Sequence, residues 1–131
     1  MFAADLNRAT VECIHFVEAS QLPAISDLTK LGLHVAEISA KNIGTHSDLF
    51  SAIADAMNFP EYFGKNWDAL EECLCDLEWI SAKGYVLLIH RANQFWQHAP
   101  KLAGQLVESW LFCDGYWLSR NIPFHVIFVV D

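Results

Sequence analysis

Basic residues are scarce in this chain: eight Lys and Arg stand against sixteen Asp and Glu, a formal charge of −8 over 131 residues. Binding nucleic-acid phosphates needs clustered Lys and Arg, so that partner class is excluded. Proline and glycine are few, at four and six, and no Gly-rich phosphate loop, linker, repeat or low-complexity stretch occurs. Cys-x-x-Cys and His-x-x-x-His pairs are missing, which removes the usual zinc spacings. No apolar run approaches the roughly 18 residues of a membrane span. The opening residues, Met1 to Arg8, lack the basic and apolar regions of a signal peptide. The expectation is a cytoplasmic protein with reduced thiols at Cys13, Cys73, Cys75 and Cys113, without membrane, cofactor or metal.

What is present is core-forming. Hydrophobic residues make up 53%, with five Trp and nine Phe, which excludes a disordered chain, and the length suits one domain spanning 1–131. Strand-like and helix-like runs alternate. Val11 to Val17 reads as a strand, Gln21 to Leu31 as a short helix ended by Gly32, and Leu33 to Ser39 as a strand. Ser47 is the expected N-cap of a helix with apolar residues at 49, 50, 53, 54 and 57, stopped by Asn58. Phe59-Pro60 forces an extended turn, and Gly64 offers a cheap positive φ in the loop. Asn66 caps a helix expected to run to about Trp79, with Trp67, Leu70, Leu74 and Leu77 on its apolar side. Tyr85 to Ile89 is a strand apolar on both faces, Gln94 to Trp96 a helical piece, Pro100 to Arg120 a long helix, and Phe124 to Val130 a last strand. This order implies an α/β domain with a mainly parallel sheet of three or four strands flanked by helices. Trp110 and Trp117 are expected on an exposed side of the long helix, where they would support self-association.

Acidity is concentrated. Between Glu61 and Glu78 six acids face one base, Lys65, so this stretch is net −5. On the helix from Asn66, the residues Asp68, Glu72 and Asp76 fall at i, i+4 and i+8 and share one face, with Glu71 adjoining. Like charges so spaced cost about 0.2–0.5 kcal/mol per pair, and the helix N-terminus returns about 0.3–1 kcal/mol for an early acid. Such a face is either simply solvated or built for a basic partner. The aromatic residues Phe59, Tyr62 and Phe63 just before it favour a partner.

Catalysis finds less support. Cys73 falls on the buried side of the helix. Cys75 is more exposed, but Glu71, Glu72, Asp76 and Glu78 surround it and would keep its thiol protonated. The six histidines are scattered singly along the chain. Asp68 and Glu72 as an acid–base pair have no nucleophile or triad pattern beside them.

The sixteen residues Phe59 to Leu74, Phe-Pro-Glu-Tyr-Phe-Gly-Lys-Asn-Trp-Asp-Ala-Leu-Glu-Glu-Cys-Leu, resemble the signature of the barstar family. The likeness extends over roughly 35–130, with 1–34 as an N-terminal extension that adds an edge strand and a short helix. It implies an intracellular inhibitor, antitoxin-like and not an enzyme, that plugs the active site of a basic, extracellular-type ribonuclease or similar toxin with an acidic helix and the loop before it. Tyr62, Asn66, Trp67, Asp68 and Glu72 would line the contact, flanked by Glu71 and Asp76. Asp68 would be the inner carboxylate and Glu72 would enter the phosphate pocket. Glu72 stands where the family's best-known member has Asp, Glu71 replaces an aromatic residue, and Trp67 adds bulk. Trp67 also begins the apolar stripe, so core and interface readings both stand. For the acid of the family's penultimate helix the nearest residue is Asp114. The alternative is a barstar-like interaction module for a different basic toxin or a regulatory partner.

Overall fold

Two runs of apolar residues, Gly84–His90 (β3) and Phe124–Val130 (β4), are buried at every position but the last. Strands with both faces covered must lie centrally, and these do. In the computed structural model, which describes residues 1–61 and 63–131, the sheet order is β1-β4-β3-β2, with Ile14–Glu18 as β1 and Leu33–Ser39 as β2 at the edges. All three pairings are parallel, with Val35 opposite Val86, Leu87 opposite Val126, and Ile14 also opposite Val126.

Parallel neighbours need crossovers, and the helices supply them over both faces. Ala3–Leu6 (α1) and Ile25–Lys30 (α2) cover one face, where Leu6 and Leu28 meet Val86, Leu88, Ile127 and Val129. His46–Ala56 (α3), Trp67–Leu74 (α4), Ala92–His98 (α5) and Pro100–Leu118 (α6) build the larger core on the other, around Leu87, Ile89, Val126 and Phe128. The strands alternate side chains between the two layers, as their period of two requires.

Several boundaries differ from the sequence expectation, each for a local reason. The helix expected over 21–31 splits into a 3-10 turn, Ala19–Gln21, and α2. Pro23 follows Leu22, which is held extended at ψ 134, as residues before proline are. Thr45, not Ser47, caps α3: its side chain accepts from Asp48 N at 3.1 Å, while Asp48 Oδ2 accepts from Thr45 N and Gly44 N, each at 3.1 Å. These bonds hold the Asp48 carboxyl below its ordinary pKa, and the box satisfies donors that a helix start leaves open. The positive φ before α4 belongs to Lys65, at 52°, and not to Gly64.

The largest difference is the end of α4. It stops at Leu74, and Leu77 turns left-handed at φ 49 while its side chain is fully buried. Trp79 Nε1 donates to Met57 O at 2.9 Å, tying this stretch back to the end of α3. Burial of Leu77 and that long-range bond outweigh a helical continuation. Asp76 therefore lies in the turn beyond α4, not one helical step past Glu72. Trp110 and Trp117 are also not exposed. They pack in the core against Phe124, and the exposed large apolar residues of α6 are Leu111, Phe112 and Tyr116.

Candidate protein-binding face

Eight residues make a helix too short to persist alone, and α4 is fastened at both ends. Asn66 Oδ1 accepts from Ala69 N at 2.8 Å, closing the N-terminus. At the other end α6 reaches two of the last carbonyls: Trp117 Nε1 donates to Leu74 O at 2.7 Å, and Cys113 Sγ donates to Glu71 O at 3.7 Å. The inward side of α4 buries Leu70, Cys73 and Leu74. Asp68 and Glu72 are left exposed, with Glu71 half-buried where α4 meets α6.

Two grooves run along this seam. One, of about 400 Å³, is lined by Asp68, Glu71, Glu72, Cys75 and Phe112. The other, of about 410 Å³, is lined by Trp67, Asp68, Glu71, Gln105, Glu108, Ser109 and Phe112. They share Asp68, Glu71 and Phe112, and the Phe112 ring is 68% exposed. Among the described residues, Glu37 with His90 is the one side-chain ion pair. Asp68, Glu72 and Glu108 are exposed and Glu71 is half-buried, so the seam concentrates negative charge, and none of the four has an ion-pair partner among the described residues.

The expected site residues sort as follows. Asp68, Glu71, Glu72 and Trp67 converge on the grooves, and Asn66 serves as the cap. Asp76 lines neither groove. Its charge bears on Cys73 and Tyr85, and its Oδ1 accepts from Glu78 N at 3.4 Å. Tyr62 lies outside the described residues. Trp67 packs with its ring edge-on to Phe50 at 5.0 Å and to His46 at 5.8 Å, and it also borders a groove. The loop aromatics Phe59 and Phe63 turn inward, edge-to-face with each other at 5.1 Å and with Trp79 and Phe50. Partly buried against the core, they support the loop from beneath.

Asp114 is a correction. It is 4% exposed on the inner side of α6, and burial raises its carboxyl pKa while the neighbouring Cys13 thiol lowers it. Burial, with Asp114 next to it, pushes the Cys13 thiol up to about 12. The acid that α6 contributes to the seam is Glu108, which sequence reading missed. The signal was there: Leu102, Leu106, Trp110, Cys113 and Trp117 are the buried stripe. At 3.6 residues per turn Asp114 borders that stripe and Glu108 stands opposite.

Cys75 also differs from expectation. The neighbouring Cys113 thiol, aided by the Arg120 guanidinium, holds Cys75 below the ordinary thiol value despite burial and Glu71. Cys73 goes the expected way, raised by burial and by Asp76 and Glu72. Among the described residues no group of three or more His, Cys, Asp or Glu is placed to hold a metal, and no helix is long and apolar enough to cross a membrane.

These features define a small α/β domain, with a four-stranded all-parallel sheet and an acidic seam between its fourth and sixth helices. A family model described as Barstar (barnase inhibitor) matches residues 33–129, and the chain belongs to that family. It is a family of inhibitors, not of catalysts, and its protein partners are barnase-like ribonucleases. No curated protein matches the chain.

Proposed function

We propose that the chain is an intracellular ribonuclease inhibitor that works by stoichiometric occlusion, its α4–α6 seam entering the basic active-site cleft of a nuclease. The observation that carries this reading is the set of carboxylates on Asp68, Glu71, Glu72 and Glu108 around the exposed Phe112, none held by an internal cation among the described residues. Carboxylates so placed occupy the positions of RNA phosphates in a cleft lined by Arg and Lys. Phe112 and Trp67 supply the packed aromatic surface that anchors such interfaces. Complementary charge accelerates encounter, so inhibition should weaken as added salt screens the seam.

The test is a titration of the chain against barnase activity on RNA, with Asp68→Ala, Glu72→Ala and Glu108→Ala in parallel. Asp68→Ala and Glu72→Ala should each weaken inhibition by about 2 kcal/mol or more, roughly 30-fold, with unchanged circular dichroism. Full inhibition by the double variant would refute the acidic-plug reading. A second reading, a different basic toxin as partner, is favoured by Glu72, one methylene longer than the family's Asp. Absence of inhibition of barnase together with salt-sensitive binding of another basic ribonuclease or toxin would select it.

A further inference from the structure

Cys75 and Cys113 meet at one backbone oxygen. The Glu71 carbonyl accepts the Cys75 N–H at 2.9 Å and the Cys113 thiol at 3.7 Å. The Cys113 sulfur thus lies beside the backbone of Cys75 where α6 packs on the end of α4, close enough for each thiol to act on the other's pKa. Cys75 is the residue just past α4, at φ −88 and ψ 1 in a turn, so its side chain stands clear of the next helical turn. Of the four thiols it alone is half-exposed, and it lines the first groove, whereas Cys13, Cys73 and Cys113 are buried. Small oxidants reach Cys75 through that groove, and Cys113 waits behind it.

We propose that Cys75 and Cys113 are a redox pair, in which a peroxide oxidises Cys75 and Cys113 then closes a disulfide that staples α4 to α6. Cys75 sulfur attacks one oxygen of hydrogen peroxide; the O–O bond breaks, giving the sulfenic acid and one water. Cys113 sulfur attacks Cys75 sulfur, the S–O bond breaks, and a second water leaves with the Cys113 proton. Two thiols and one peroxide become one disulfide and two waters. Access from the groove and a thiol held below its ordinary pKa favour Cys75 as the sulfur that attacks first, while its neighbour Cys75 and burial keep Cys113 protonated until then. The inference stands on the packing of α4 against α6 and is independent of the inhibitory reading.

The experiment treats the reduced full chain with hydrogen peroxide in native buffer and follows it by intact mass and unreduced peptide mapping. Wild type should lose two hydrogens, yield a peptide pair joined at Cys75 and Cys113, and revert with dithiothreitol. Cys73→Ser should cross-link as wild type does. Cys75→Ser should not cross-link. Cys113→Ala, shown folded by its tryptophan fluorescence, should accumulate a Cys75 sulfenic acid that dimedone traps. Amide exchange across 67–75 should slow in the oxidised protein. A link through Cys73 or Cys13, oxidation of Cys75 to sulfinic acid without a link, or a link that forms only in urea would overturn the proposal.

Discussion

His125 is fully buried on a central strand, and its surroundings leave it one tautomer. Its Nε2 lies 2.8 Å from the Arg8 carbonyl, which can only accept, so Nε2 carries the proton and Nδ1 accepts from His15 Nε2 at 2.9 Å. In this arrangement the His125 ring is neutral. Burial, then the facing His125, lowers the His15 pKa to about 4, and burial lowers that of His125 as well. Unfolded, each would titrate near 6.5. Between these values the unfolded chain binds protons that the native one refuses, so stability is complete above about pH 6.5 and falls as pH drops toward 4. Because His15 is only half-buried, solvent reduces the effect, and a loss of about 1–2 kcal/mol is expected. Urea midpoints at pH 7 and pH 4.5 measure it, and His15→Gln should flatten the difference. An undiminished pH dependence in that variant would assign the effect to other groups.

The element whose integrity matters most is α4, because eight residues carry three of the seam's carboxylates. Asn66→Ala removes the bond to Ala69 N and should lower stability by about 1 kcal/mol, read as a shifted denaturant midpoint with unchanged slope. Trp117→Phe leaves the Leu74 carbonyl without its donor. It should cost about 1–3 kcal/mol, with faster amide exchange at the C-terminal end of α4. The same element marks where sequence legibility stops. Leu33–Ser39 and Phe124–Val130 were readable to the residue, because burial on a sheet writes itself into consecutive side chains. The start of α4 was readable from Asn66, and Asp68, Glu71 and Glu72 with it. Its end was not, since it depends on a bond from Trp79 to Met57, twenty-two positions back, and on Leu77 being drawn into the core. Glu108 was hidden for a similar reason: it becomes a neighbour of Asp68 only once α6 lies along α4.

At the scale of the whole molecule, the residues before the family match at 33 are part of the fold. β1 pairs with β4 along its length and keeps that strand from being an edge. Leu6, Val17 and Leu28 close the smaller core over Val86, Leu88, Ile127 and Val129, and Cys13 sets its thiol near buried Asp114. Deleting residues 1–18 removes all of these except Leu28. Loss of Leu6 and Val17 alone costs about 3–6 kcal/mol, a large share of a typical 5–15 kcal/mol. β4 would then offer its unpaired edge to other chains. The acidic seam, on the opposite face of the sheet, loses none of its residues. The truncated chain should therefore melt well below the full one, bind a hydrophobic dye and self-associate in size-exclusion chromatography. Wherever it stays folded, it should keep any salt-sensitive affinity for a basic ribonuclease that the full chain has. A truncated chain as stable and monomeric as the intact one would mean that β1 decorates the sheet without supporting it, and a folded one that lost only binding would move part of the contact surface onto the extension.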